Sequence, residues 1–330
     1  MFSHRLLPGA ALCTVAALTL VGCGSSAESG DSTASSSASS STVSIEDNKG
    51  TQDVTVPPKT VVATDNRLFE TLADWDVQLA AAPKKLIPET ISYANDESVV
   101  DLGSHREPDL EAIAGVDPDL VINGQRFAQH YDDIHTLVPD ATMLELDPRD
   151  DQPLDSELQR QTTAMGEVFG KQEDAKALNE GLDKAEQRAK DAYAGQSTMG
   201  LIVSGGDMGY VVPSTGRTIG PLFDMVGLKP ALEVSGSEDH QGDDISVEAI
   251  AKAKPELLIV MDRDAAMKSE KGSTPASEVI EKSEALKDVP AVKNGNVVYL
   301  PADTYTNEGI QTYTEILNAL ADKLEADAEN

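Results

Sequence analysis

The chain contains one segment twice. Residues 110–126 and 247–263 align without a gap at an offset of 137, with eight of 17 positions identical. Each copy opens on a residue suited to cap a helix, Asp109 or Ser246, and runs through Glu-Ala-Ile-Ala. Each then breaks at Pro118 or Pro255 and enters an apolar strand. Each ends on an arginine just past that strand, Arg126 and Arg263. A helix feeding a short apolar strand is half of a β-α-β unit, so the duplication predicts two related α/β lobes with mainly parallel sheets. Candidate strands at 60–63, 77–81, 99–102 and 119–122 in the first set, and 199–203, 257–260 and 296–300 in the second, fit that reading. In such sheets ligands bind beyond the carboxyl ends of the strands. Two arginines presented from equivalent strand ends imply a cleft for an anion between the lobes.

Between the two sets, residues 171–194 lack proline, and apolar residues at 175, 178, 182, 185, 189 and 192 form one stripe. The expectation is two Rossmann-like lobes, 54–170 and 195–330, joined by one long rigid helix over 171–194. Such a linker permits only modest closure on a ligand.

The start of the chain addresses location. Residues 1–22 read as a secretory signal, with His4 and Arg5 ahead of an apolar run too short for a comfortable membrane span. The run closes on Leu20-Val21-Gly22-Cys23, which resembles a bacterial lipobox and marks Cys23 for lipidation. The other cysteine, Cys13, falls in the discarded segment, so the mature chain has no disulfide and no catalytic thiol. Residues 23–53 are Ser-rich and read as a flexible tether with a reach of roughly 30 Å. The expected location is the extracytoplasmic face of the cell membrane, held there by the lipid anchor. The net charge of −31, from 26 basic and 57 acidic residues, removes nucleic acid as a partner.

Taken together, the lipobox, the duplicated Glu-Ala-Ile and Pro-Asp-Leu-Val-Ile motifs and the long linking helix resemble the substrate-binding lipoproteins of ABC importers. The likeness is to the helical-backbone class that takes ferric siderophores, cobalamin and haem. Within that class the run Asp101-Leu102-Gly103-Ser104, the segment from Glu107 to Ile113, and Gly124-Gln125-Arg126 are similar to the binding proteins for ferric catecholate siderophores. The second half adds Pro213-Ser214-Thr215-Gly216-Arg217 and Met261-Asp262-Arg263. The resemblance implies that Arg126, Arg217 and Arg263 line the cleft and offset the charge of the iron complex. It also implies that His240 and Tyr305 complete iron coordination when the siderophore supplies only two catechols. Glu111 and Glu248 sit in the first helical turn of each copy, where the helix dipole favours a carboxylate. The resemblance gives them a second role, docking on the arginines of a two-subunit permease.

The resulting expectation is a monomer without intrinsic cofactor. It would carry a ferric catecholate siderophore to an ABC permease driven by its ATPase. Hydroxamate siderophores, haem and cobalamin are the alternative ligands; a haem cleft would be more aromatic than a chain with 4% aromatic residues suggests. A siderophore-processing hydrolase is the rival of a different kind, but no Gly-x-Ser-x-Gly, His-Glu-x-x-His or P-loop motif is present. Ser204-Gly205-Gly206-Asp207 reads as a loop lining the cleft. His105, His130 and His135 lack tight metal-ligand spacing, and Gln125 and Tyr131 lie close enough in sequence to Arg126 to touch a ligand.

Overall fold

The computed structural model describes residues 40–233, 241–267 and 274–328. The signal segment, Cys23 and His240 lie outside the described residues.

The first described elements correct the tether expectation. Ser41–Asp47 (β1) and Gly50–Val56 (β2) pair as an antiparallel hairpin around Asn48 and Lys49. Val43, Ile45 and Val54 alternate with polar residues on the two strands, so they share one face, and Ile45 and Val54 are buried. Four apolar residues, Val56 included, among many Ser, Thr and Asp do not stand out in composition, yet at a period of two they are enough to seat a hairpin. Asn48 N donates to the Glu145 carbonyl at 2.8 Å, which ties the hairpin to the body.

The first half builds one sheet from Val61–Ala63 (β3), Leu79–Ala82 (β4), Val100–Asp101 (β5), Leu120–Asn123 (β8) and Thr142–Glu145 (β9). A small antiparallel pair, Gly103–Ser104 (β6) and Glu107–Pro108 (β7), precedes the repeat helix. The sheet order is β5-β4-β3-β8-β9, parallel throughout. The second half builds its sheet from Ser197–Ser204 (β10), Asp207–Val211 (β11), Lys229–Pro230 (β12), Asp243–Asp244 (β13), Leu257–Asp262 (β14) and Val297–Tyr299 (β15). Here the path is β13-β11-β10-β14-β15, with β12 also paired to β10. β10, β12, β14 and β15 run parallel, and β11 is antiparallel to both its neighbours.

The sequence repeat is a topological one. β8 and β14 occupy the same place, each the middle of three parallel strands (β3-β8-β9 and β10-β14-β15). The repeat helices, Leu110–Gly115 and Val247–Ala253, are capped as expected: Asp109 Oδ1 accepts from Ala112 N at 3.1 Å and Ser246 Oγ from Ala249 N at 3.2 Å.

The linking stripe spans two hydrophobic cores. On the helix Gln172–Ala192, Ala175 packs into the core of the first half, while Leu182, Ala185 and Ala189 pack into that of the second. Leu178 touches both. The preceding helix, Leu154–Phe169, and the last, Ile310–Ala328, pack along it. The chain also returns once more. After β15 the loop 301–309 is bound to the first half: Asn66 Nδ2 donates to the Thr306 carbonyl at 3.3 Å and Asn307 Nδ2 to Glu70 Oε2 at 2.7 Å. The two halves are thus joined by a helical layer and by a polar loop.

Candidate functional site

All the strands that lead to the site end at it. Arg126 follows β8, Arg263 follows β14, Ser204 closes β10, and Tyr305 lies in the loop after β15. Arg217 sits in the turn after β11. Local backbone chemistry places the arginines. A Cβ at Gly124 would come within 2.7 Å of Asp65 Oδ2, so only glycine lets the Arg126 loop lie this close to the β3 end. A Cβ at Gly216 would lie 2.5 Å from the Val212 carbonyl oxygen, so the turn before Arg217 is equally tight. Asp262 caps the short helix Arg263–Ala266 by accepting from Ala265 N at 3.1 Å.

These elements gather three guanidinium groups around one ring. The carbon of Arg217 lies 4.4 Å from the Tyr305 ring centroid, that of Arg263 5.0 Å and that of Arg126 5.1 Å. Each is within the range of cation–π attraction. Arg126 Nη2 and Arg217 Nη2 each donate to the Tyr305 carbonyl at 3.2 Å. Arg263 Nη1 donates to Ser204 Oγ at 3.1 Å. The Nε–H of each of the three arginines is buried and makes no hydrogen bond within the described residues.

The electrostatics also favour an anion. Burial, and then the like charge of Arg217, pull the Arg126 pKa below its usual value. Burial resists ionisation of the Tyr305 phenol, but a hydrogen bond from Arg263 and the charges of Arg217, Arg126 and Arg263 outweigh it, and the phenol titrates below its ordinary range. Tyr305 itself is only 4% exposed, enclosed by the guanidiniums.

Four of the five residues expected to contact the ligand or its iron therefore converge, and the fifth, His240, lies outside the described residues. Glu111 and Glu248 are both exposed, each in the first turn of its repeat helix. Ser204 and Gly205 do line the arginine region: Asp264 Oδ2 accepts from Gly205 N at 2.6 Å and fixes the β10–β11 turn. Tyr131 points elsewhere, stacking on His135 with Lys49 of the hairpin over its ring at 4.5 Å. His130 Nε2 lies 3.0 Å from the His105 carbonyl oxygen. Among the described residues no group of three or more His, Cys, Asp or Glu is arranged to hold a metal ion.

One member escaped the sequence reading. Glu308, 3% exposed, accepts from Arg217 Nη2 at 2.6 Å, Thr218 Oγ1 at 2.6 Å and Gln125 Nε2 at 3.2 Å. Nothing in its sequence neighbourhood, Thr306-Asn307-Glu308-Gly309, marks it out. Glu308, Gln125 and Arg217 also line a cavity of about 690 Å³ that reaches Glu186 and Lys190 of the linking helix.

Two α/β halves on a common helical layer, with an anion-seeking cluster built from both, define a bilobal ligand-binding protein. The chain belongs to the periplasmic binding protein family, whose profile matches residues 61–304. It is similar to the petrobactin-binding protein YclQ of Bacillus subtilis, 28% identical over 283 residues, 84% of this chain and 86% of that one. The crystal structure of YclQ superposes with a TM-score of 0.74 at 25% identity, covering 86% of this chain and 99% of that one. The ferric-anguibactin-binding protein FatB of Vibrio anguillarum is 28% identical over 263 residues, 79% of this chain and 80% of that one. The catecholate-siderophore binding protein VctP of Vibrio cholerae shares the fold at a TM-score of 0.74 and 23% identity, covering 87% of this chain and all of that one. These relatives are binding proteins rather than enzymes.

Proposed function

We propose that the protein captures a ferric catecholate siderophore outside the cytoplasmic membrane and delivers it to an ABC importer. The observation that carries this reading is the set of three guanidinium groups held 4.4, 5.0 and 5.1 Å from the ring of Tyr305. Guanidinium is permanently charged, donates through a planar fork and stacks on aromatic rings, which matches an anionic complex presenting flat catechol faces. The names of YclQ, FatB and VctP support a siderophore as the ligand class. Their different siderophores leave the catecholate assignment to the arginines.

Ferric iron favours hard oxygen donors and accepts imidazole, so the acidified Tyr305 phenol and His240 are suited to complete a four-coordinate catecholate complex. Cys23 anchors the protein to lipid. Glu111 and Glu248, one on each half, dock on the permease. The protein acts as a monomer.

Quenching of Trp75 and tyrosine fluorescence by tetradentate and hexadentate ferric catecholates, against ferric hydroxamates, tests the reading. Arg126→Gln, Arg217→Gln and Arg263→Gln should each weaken catecholate binding by roughly tenfold to a hundredfold, the value of one charge-assisted hydrogen bond. Binding of hydroxamates alone, or catecholate affinities unmoved in all three variants, would refute it. His240→Ala and Tyr305→Phe should weaken the tetradentate complex more than the hexadentate one.

A further inference from the structure

We propose that Glu308 is the specificity-determining counter-ion of the arginine site: one buried carboxylate that holds two of the three arginine-bearing loops and makes the site grade ferric catecholates by their charge. The inference rests on the catecholate reading above and goes beyond it by assigning the charge selectivity to a residue that need not touch the ligand.

The geometry is that of a hub. Glu308 lies three residues beyond Tyr305 in the same loop. Its two oxygens accept from Gln125 of the first half and from Arg217 and Thr218 of the second. Gln125 immediately precedes Arg126, and Thr218 immediately follows Arg217. Both partners hold left-handed backbone, with φ of +49° at Gln125 and +58° at Thr218. Non-glycine residues avoid that region, a β-branched threonine above all, and persist there only where their surroundings over-determine them. The common partner of the two side chains is the Glu308 carboxylate. A single group therefore pins, from opposite halves, the two turns that set Arg126 and Arg217 on the Tyr305 carbonyl.

The same group alters the charge of the site. Three arginines alone would present three positive charges; the buried ion pair with Arg217 at 2.6 Å offsets one of them, and Asp264, 3.8 Å from Arg263, partly offsets a second. Burial opposes ionisation of Glu308, but Arg217, Arg67, the Thr218 hydroxyl and Arg126 hold its pKa below the usual carboxylate value, so the counter-charge is present at neutral pH. Removing it adds one positive charge at short range in a water-poor site, and the gain scales with the charge of the ligand. Ferric iron bound by two catecholates is a monoanion, and by three a trianion. The ratio of their affinities thus reads the counter-ion directly, whereas a purely structural role would move both affinities together.

The test compares wild type with Glu308→Gln, which keeps the side chain's size and loses its charge. Both are titrated by fluorescence quenching with a ferric bis-catecholate and a ferric tris-catecholate. The expected result is a shift of the affinity ratio toward the tris-catecholate by about tenfold. Gln125→Glu, at a partly exposed position, adds a carboxylate beside the same arginines and should move the ratio the opposite way. It carries the test if Glu308→Gln does not fold. A ratio unchanged in the folded variants overturns the assignment while leaving the catecholate reading standing. Failure of the wild type to bind either complex would overturn both.

Discussion

Arg126 and Arg217, which come from opposite halves of the chain, donate to the same acceptor, the carbonyl oxygen of Tyr305, at 3.2 Å each. Two cations drawn to one neutral acceptor repel each other. The arrangement stands because the Tyr305 ring face, the Glu308 carboxylate and the packed loops around them offset that repulsion. An anion placed between the guanidiniums would relieve it further.

Tyr305 reports on that field. Its phenol should ionise below the free-tyrosine value in a phenolate-absorbance titration, and Tyr305→Phe should remove this early step. Because the folded pKa is depressed, ionisation of the group favours the folded state. Its contribution grows as pH rises through the folded value and is complete above the unfolded value of 10.0. Arg263→Gln, which removes the hydrogen bond to the phenol, should return the step toward the ordinary pH. Identical titrations of wild type and Arg263→Gln would contradict the assigned cause.

Asp65 gives a pH signature of opposite sign. Burial, then the charge of Asp147, push its carboxyl up to about 7, against the lowering effect of Arg67. Gln161 Nε2 donates to its Oδ2 at 2.6 Å. The folded state therefore holds this proton more tightly than the unfolded chain, whose reference value is 3.8. The stabilising effect is fully present below that value and is lost as pH rises through about 7. Thermal melts of Asp65→Asn should show a flatter dependence across this window than wild type; a steeper one would count against the assignment.

Glu111 and Glu248 are exposed, on equivalent helices, each at the start of the repeat whose far end carries the arginine. The double variant Glu111→Arg, Glu248→Arg should bind ferric catecholate within about twofold of wild type, since exposed charges are strongly screened by salt. Uptake of the iron complex by cells carrying the variant should fall to background. Normal uptake would remove the docking role.

How much of this was legible beforehand varies with how far apart the interacting residues lie in the chain. The repeat led directly to Arg126 and Arg263, because a strand followed by an arginine is a local pattern and the parallel sheet turns both ends to the same side. Periodicity over 171–194 located the helix Gln172–Ala192 for the same reason. The hairpin before residue 57 was obscured by composition, since Ser and Thr fill the exposed positions of β1 and β2 as readily as they fill a linker. β9 and β11 were missed because Thr142-Met143-Leu144-Glu145 is short and Asp207-Met208-Gly209-Tyr210-Val211 carries an interior glycine. Glu308 had no local signal at all, because its three partners lie 90, 91 and 183 residues away.

The sequence by itself determined the two-lobed plan, the stiff connection and the strand-end arginines, since each is written in spacing along one segment. Only the tertiary structure decided that the arginines surround a single tyrosine and that one carboxylate holds the loops of both halves. Those relationships depend on the chain crossing back after β15, and on charges buried close enough together to shift one another's titration. Neither long-range proximity nor the loss of water around a charge can be read from the order of residues.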